Sequence, residues 1–228
     1  MKTENETPLK TLLLILNESD LLDNGSIENL FSRFSVIENE GVLNLIVYID
    51  FLKTMDTGKK ASLIRNLKER ILAVSKSKDF QFDPNRFAVI ENYDDSNTFP
   101  NPGSFPDSDS FPDSESFLKS GRFSALFVLG LGGRDELKLI LSDFVEKCRK
   151  NEAGSDEMTS EYLSNQLKLP SEPDFVISHT KNTLTDFMLW QTVYSEYYFF
   201  EKDIRRLTDA DFKKAFDSFY KRERRYGV

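Results

Sequence analysis

The stretch that decides the fold runs from residue 123 to residue 148 and reads FSALFVLGLGGRDELKLILSDFVEKC. Its first seven residues form a largely apolar run without polar alternation, which is typical of a strand covered on both faces. After Gly132 and Gly133 the pattern changes, and apolar residues recur at helical spacing from Leu137 to Cys148. The order of strand, glycine turn and helix predicts one βα unit of an α/β domain.

Similar units recur along the chain. Residues 60–74 form a helical pattern in which Leu63, Leu67, Ile71 and Val74 share one face. The other strand candidates are residues 11–16, 43–49, 86–90 and 174–177. This alternation predicts a single α/β domain over residues 1–228, with a mostly parallel central sheet and helices on both sides.

Composition narrows the class of protein. The 228 residues suit one sizeable core, and no apolar run approaches the roughly 20 residues of a membrane span. The polar start, MKTENETPLK, is unlike a signal peptide, and a single cysteine, Cys148, excludes an internal disulfide framework. A net charge of -8 argues against a nucleic-acid binder. We therefore expect a soluble, cytoplasmic protein.

One segment, at about residues 94–119, breaks the α/β pattern. It repeats the pentapeptide Ser-Phe-Pro-Asp-Ser, starting at Ser104 and again at Ser110. Its proline, serine and acidic content predicts a low-complexity insertion rather than a packed element. Its carboxylates lack the turn glycine and the correctly spaced glutamate of a calcium loop, so we expect no calcium site there.

The end of the chain carries a well-marked helix. Thr208 is the predicted N-cap with Asp211 three residues on, and Leu207 and Phe212 occupy the hydrophobic-staple positions. We expect the aromatic stripe of this helix to dock on the sheet; it consists of Phe212, Phe216, Phe219 and Tyr220. The last residues include Arg225-Tyr226-Gly227. They are either a solvated basic helix end that complements its dipole or a contact to an anion.

Two blocks together resemble the cis-prenyltransferases, the undecaprenyl-diphosphate-synthase-like enzymes that build long isoprenoid diphosphates. The first block is Leu131-Gly132-Gly133-Arg134-Asp135-Glu136, directly after a strand. The second is FMLWQ at residues 187–191 with YSEYYF at 194–199, and it continues to RERRYG at 222–227. The resemblance implies a single α/β domain with a mostly parallel sheet, an elongated hydrophobic tunnel and an obligatory dimer.

The first departure from the family pattern lies after the first strand. Active members of the family place there an aspartate that handles magnesium and diphosphate, whereas this chain has Asn17 followed by Glu18 and Ser19. A neutral amide cannot supply the charge that a magnesium-diphosphate site requires. Glu18 is the neighbouring acid, but alternation along a strand would point it to the opposite face.

The second departure lies in residues 178–183, SHTKNT, where active members carry two arginines that fork onto a substrate diphosphate. Lys181 offers a point charge without that planar fork. His179, the one histidine of the chain, is either a phosphate contact or a neutral loop residue. Both departures remove cationic help from the leaving group, so we expect this chain to be catalytically silent alone.

What survives fits an accessory role. The resemblance places Trp190, Tyr194, Glu196 and Tyr197 at a dimer interface, and it carries Arg225 and Gly227 into a partner's site to contact the substrate diphosphate. This chain resembles the degenerate accessory subunits of the Nogo-B receptor type. The implied partner is a homologous catalytic subunit that holds most of the magnesium. An isoprenoid product also implies peripheral proximity to a membrane.

Several roles stay open at this point. Glu196 is either a ligand of a magnesium site shared with the partner or part of a polar network, and Arg134 and Glu136 either meet a ligand or hold their turn. The leading hypothesis is a non-catalytic, activating subunit of a heteromeric cis-prenyltransferase. The alternatives are a lipid-binding or scaffolding homodimer, and a homodimeric enzyme rebuilt around Glu18, Lys181 or Glu196.

Overall fold

The structure is a computed structural model that describes residues 8–23, 25–52, 54–80, 86–91, 121–130, 132–167, 169, 172–179, 188–202 and 204–222. Its centre is a six-stranded sheet with the strand order β3-β4-β2-β1-β5-β6. Every neighbouring pair of strands runs parallel. The predicted α/β architecture with a parallel sheet flanked by helices is confirmed.

Five of the six strands fall where the apolar runs predicted them, each within one residue. They are β1 (Thr11–Asn17), β2 (Asn44–Asp50), β3 (Phe87–Glu91), β4 (Ser124–Leu129) and β5 (Phe175–Ser178). The sixth, β6 (Glu196–Phe199), was not predicted as a strand. It is a short, half-buried strand at the edge of the sheet, so it lacks the long apolar run of a central parallel strand.

Six α-helices connect or follow the strands in the described part of the chain. They are α1 (Ser26–Ser32), α2 (Phe34–Asn39), α3 (Thr57–Ser75), α4 (Gly133–Arg149), α5 (Ser160–Gln166) and α6 (Asp209–Tyr220). Short 3-10 helices cover Glu18–Leu21, Ser155–Glu157 and Ile204–Arg206. The predicted helices at 60–74, 137–148 and after Thr208 correspond to α3, α4 and α6.

The two faces of the sheet carry separate apolar clusters because side chains alternate along each strand. On one face, Leu14, Val47 and Phe127 pack with residues of α1, α2, α3 and α6, among them Phe31 and Leu67. The second face carries the intervening side chains, which pack with residues of the loops that follow α5; the cluster includes Leu13, Ile15, Ile46, Tyr48, Leu126, Val128, Val176, Leu169 and Met188. A third, smaller cluster joins α4 to α5.

The final helix docks on the first of these faces as its aromatic stripe predicted. Phe212, Phe216 and Phe219 are buried, and the ring centroid of Phe219 lies 5.0 Å from that of Phe175 on β5. At the start of α6, the backbone N–H of Thr208 donates to Asp211 Oδ2 at 2.9 Å, which confirms the predicted cap. The chain therefore holds α6 both by its packing and by its first turn.

The predicted insertion at 94–119 lies outside the described residues. Among the helices described here, none has the length and apolar character needed to span a bilayer.

Candidate functional site

The candidate site lies at the carboxyl end of β1. In the sheet order, β2, β4 and β3 lie on one side of β1, whereas β5 and β6 lie on the other. Open α/β sheets bind ligands in the crevice at such a change of direction, which falls here between the carboxyl ends of β1 and β5. Asn17 ends β1 and His179 follows β5. These described residues of the two departures from the family pattern therefore lie at the same end of neighbouring strands.

Asp20 links these two strand ends. Its Oδ2 atom accepts a hydrogen bond from the backbone N–H of Asn17 at 2.8 Å and lies 3.1 Å from Nδ1 of His179. The backbone N–H of His179 in turn donates to the carbonyl of Ile15 at 3.2 Å. Asp20 is buried, and the His179 side chain is largely so. An acid therefore holds the imidazole beside the carboxyl ends of β1 and β5.

The position of Glu18 corrects one step of the sequence argument. The strand ends at Asn17, and Glu18 begins the 3-10 helix, so alternation along β1 does not decide where its side chain points. Glu18 is only 6% exposed. Burial raises the pKa of its carboxyl, with smaller contributions from the charges of Asp50 and Asp20, while hydrogen bonds from the backbone N–H groups of Glu18 and Leu52 oppose the rise.

Acidic groups thus dominate the end of β1. Asp50 ends β2 and is the register partner of Asn17, and Glu18 and Asp20 follow within three residues. Arg134 and Glu136 lie in the first turn of α4, after the carboxyl end of β4, with Glu136 buried and Arg134 exposed. Both make contacts within the chain, so a structural role at that turn remains one of their two interpretations.

The described residues do not fit a resident magnesium ion at this site. Asn17 is neutral, the Glu18 carboxyl is buried, and Asp20 is engaged by Asn17 and His179. Across the part of the chain that the structure describes, no group of three His, Cys, Asp or Glu side chains could hold a metal ion.

The predicted interface residues begin with an exposed apolar turn after Met188. Four side chains of this turn are substantially exposed: Leu189 (37%), Trp190 (39%), Val193 (66%) and Tyr194 (58%). Trp190 donates its indole N–H to the hydroxyl of Ser164 on α5 at 2.9 Å. The turn itself is fixed from below, since Thr192 and Gln191 are buried and hydrogen-bonded to the carbonyls of Met188 and Leu169. A rigid apolar patch is typical of a protein–protein contact.

Glu196 and Tyr197, the other two predicted interface residues, lie on the edge strand β6. Glu196 Oε2 accepts a hydrogen bond from Nη1 of Arg222 at 2.9 Å. Tyr197 donates its hydroxyl to the carbonyl of Thr192 at 3.3 Å, and burial raises its pKa. The structure thus brings Glu196 and Tyr197 close to the exposed turn. The interface roles of Trp190, Tyr194, Glu196 and Tyr197 stay predictions.

A pocket lies at the opposite end of the sheet, where the strands begin. It has a volume of about 470 Å³, and its lining includes Arg86, Arg122, Glu38 and Phe123. These residues precede the amino ends of β3 and β4 or end α2, so the pocket is remote from the crevice. The hydrophobic tunnel that the resemblance implies stays a prediction.

Some predicted site residues lie outside the described part of the chain. They are Lys181, Arg225 and Gly227, and their roles stay predictions. Sequence reasoning missed Asp20 and Arg222. Asp20 is 159 residues from His179, so no local pattern could pair them, whereas Arg222 stands at the start of the quoted RERRYG block and could have been tested as a partner for Glu196.

Comparison with known proteins finds both similar sequences and similar folds. A family model described as putative undecaprenyl diphosphate synthase matches residues 113–227, about half of the chain. An isoprenyl transferase of Thermotoga maritima is 37% identical over 111 residues, which is 46% of either chain. The tritrans,polycis-undecaprenyl-diphosphate synthase (geranylgeranyl-diphosphate specific) of Picrophilus torridus is 33% identical over 114 residues, or 48% of this chain and 43% of its own. The matches span less than half the length of these relatives.

Two solved structures share the fold over nearly the whole chain. Lavandulyl diphosphate synthase from Lavandula x intermedia, in complex with dimethylallyl diphosphate, superposes with a TM-score of 0.65 at 17% identity, covering 96% of this chain and 98% of its own. A probable undecaprenyl diphosphate synthase from Campylobacter jejuni gives a TM-score of 0.63 at 21% identity, covering 97% and 100%.

Proposed function

Because this chain belongs to the family described as putative undecaprenyl diphosphate synthase, we propose that it is a non-catalytic, activating subunit of a heteromeric cis-prenyltransferase. The complex condenses isopentenyl diphosphate with an allylic diphosphate to give a long-chain polyprenyl diphosphate. A homologous catalytic subunit performs the chemistry. This chain contributes an interface and the motif Arg225-Tyr226-Gly227.

The observation that carries the proposal is the chemistry at the end of β1. A substrate diphosphate needs cations around it because negative charge develops on the leaving group. This crevice instead offers the neutral Asn17 followed by the buried acids Glu18 and Asp20. Like charges close to a diphosphate oppose its binding, and they do so more strongly where water is excluded.

Magnesium belongs to the partner in this proposal. The metal would neutralise the diphosphate during ionisation. Residues of this chain at the corresponding place do not fit the ion, since Asn17 lacks charge and Asp20 is held by His179. The catalytic subunit therefore supplies the metal-binding acid.

The apolar turn supports a heteromer through its exposed side chains. Val193 and Tyr194 are more than half exposed, although apolar side chains of that size gain free energy by leaving water. A partner that covers the turn and the neighbouring β6 would bury them. The same association would bring the last residues of this chain to the partner's site.

The final motif has suitable chemistry for that site. Arg225 offers a guanidinium fork that matches two phosphate oxygens. Gly227 has no side chain, so its backbone N–H can approach an oxyanion closely. Together they would complete the cationic surroundings of a diphosphate that the partner binds.

A coexpression experiment tests the function. We expect a catalytic homologue purified with this chain to form polyprenyl diphosphate much faster than the homologue alone. Arg225→Ala should lower kcat of the complex by about 100-fold, the size typical for removing one donor to a developing charge. The matched control is Lys214→Ala, which removes one positive charge from the exposed surface of α6.

Three outcomes separate the alternatives. Equal activity without this chain, or with Arg225→Ala, contradicts the activating role. A stable homodimer that retains a lipid through purification and changes no synthase favours the scaffolding alternative. Turnover by the purified chain alone with magnesium favours a rebuilt active site, which Glu18→Gln and Lys181→Ala would then test.

A further inference from the structure

Arg222 makes an unusual set of contacts at the end of the described chain. Its Nη1 atom donates to Oε2 of Glu196 at 2.9 Å and to the backbone carbonyl of Tyr197 at 2.8 Å. Its Nη2 atom donates to the hydroxyl of Ser218 at 3.3 Å. One guanidinium therefore joins the edge strand β6 to the last helix, α6.

These contacts fix direction as well as position. The guanidinium is planar, and its two nitrogens point at acceptors on different elements, so the side chain cannot rotate without losing one of them. The backbone N–H of Arg222 also donates to the carbonyl of Phe219 at 3.0 Å, which closes the end of α6. The chain consequently leaves residue 222 from a point held by both its backbone and its side chain.

The place of this attachment links it to the predicted interface. Strand β6 follows directly after the exposed turn that contains Trp190, Val193 and Tyr194. Arg222 thus donates hydrogen bonds to the first two residues of the strand that follows this turn. Arg225 is three positions after Arg222, a separation of at most about 10 Å when the chain is extended.

We propose that the Arg222–Glu196 pair is an anchor that aims the final residues, and with them Arg225, at the partner's site. The proposal rests on the activating function proposed above. Glu196 is then a positioning residue that holds Arg222, and its carboxylate is not needed as a metal ligand. The anchor differs from a stability device, because the pair is partly exposed, at 36% for the Arg222 side chain and 27% for Glu196, and exposed pairs contribute little to folding.

The first test measures order in the chain without any activity. A nitroxide is attached at Glu223→Cys in a Cys148→Ser background, and its electron paramagnetic resonance spectrum is compared between variants. We expect Arg222→Ala and Glu196→Ala to give clearly faster motion of the label. Glu196→Gln should stay close to the parent spectrum, because the amide oxygen still accepts from Arg222. Lys221→Ala, which removes a neighbouring positive charge, is the matched control.

The second test measures the coexpressed complex. Arg222→Ala should lower its kcat by about tenfold, since a displaced group loses catalytic effect steeply with distance. The kcat of the Arg222→Lys complex should fall between those of the parent and of Arg222→Ala, because lysine retains the charge and loses the planar fork. Glu196→Gln should remain within about threefold of the parent, whereas a metal-ligand role for Glu196 predicts a large loss and a higher magnesium requirement.

The outcomes distinguish this proposal from the function on which it rests. If the label moves equally in all variants, or if Arg222→Ala activates as well as the parent while Arg225→Ala does not, the anchor is refuted and the activating function stands. If this chain does not activate the catalytic homologue at all, the function fails. The resonance spectra then still decide whether Arg222 and Glu196 hold the chain end.

Discussion

Glu18 places a carboxyl group in a buried position immediately after β1. Burial raises its pKa, so the folded protein holds this proton more tightly than the unfolded chain does. By linkage, the residue contributes stability while it is protonated, and that contribution is lost as the pH rises through the raised pKa. At neutral pH the ionised carboxylate of Glu18 therefore lowers the free energy of unfolding.

Replacing Glu18 by an uncharged residue should therefore stabilise the fold at neutral pH. Glu18→Gln should raise Tm by a few degrees at pH 7, because the amide removes the buried charge and can still accept from the N–H of Leu52. The gain should shrink as the pH falls towards 4.5, the ordinary pKa of a glutamate carboxyl. Calorimetric scans from pH 7 to pH 4.5 measure it, with the exposed Glu69→Gln as control. A gain that is the same at every pH would contradict the assignment.

At the scale of elements, α6 depends on its first turn. Asp211 accepts from the N–H and the hydroxyl of Thr208, at 2.9 Å and 2.8 Å, and from Lys202 Nζ at 2.5 Å. The hydrogen bond from Lys202, with those from Thr208, lowers the pKa of Asp211 to about 2. Its stabilising contribution is thus present above pH 3.8, the ordinary pKa of an aspartate carboxyl, and is lost as the pH falls towards 2.

Asp211→Ala should lower the free energy of unfolding by about 1 kcal/mol at pH 7, the usual size of a capping loss. The difference from the parent should diminish below pH 3.8, where the parent loses the same interaction. Urea unfolding at pH 7 and pH 3 measures both effects. Asp217→Ala, at an exposed position within α6, should change stability far less.

Elements marked by a continuous apolar run or by a long helical pattern were predictable from the sequence, and shorter elements were not. The apolar runs of β1, β2 and β4 are buried on both faces, so each is a continuous strand-length run without polar alternation. Strand β6 is short and half-buried, so its pairing with β5 decides its conformation. The helices α1 and α2 were missed although Ile27, Leu30, Phe31, Phe34 and Ile37 recur at helical spacing. Only Arg33 separates the two helices, which makes each one short.

At the scale of the whole molecule, the candidate site was predictable where it depends on strand ends. Placing Asn17 at the carboxyl end of β1 needed only the end of an apolar run. The contacts of Asp20 with His179 and of Glu196 with Arg222 join residues 159 and 26 positions apart. Such pairs are products of the folded topology, and the local pattern of the sequence contains no signal for their geometry.

Association with the catalytic subunit should depend on the exposed turn that contains Val193. Val193→Asp should weaken association with the catalytic subunit at least tenfold, because it places a charge in the middle of the exposed turn. The fold should be unaffected, since Val193 is 66% exposed. Sedimentation velocity of the mixed subunits measures the association, and Leu22→Asp, another exposed apolar position, is the control. Equal loss in both variants would argue against an interface at this turn.

Trp190 gives the turn an optical consequence. It is the one tryptophan among 228 residues, it is 39% exposed, and its indole N–H is held by Ser164. Excitation of tryptophan therefore reads a single, oriented ring within the turn, free of background from the core, whose rings belong to phenylalanine and tyrosine. A shift of its emission to shorter wavelength would register the loss of water around that ring as a second protein arrives. The chain thus carries a native fluorophore that reports on its own encounters without a label.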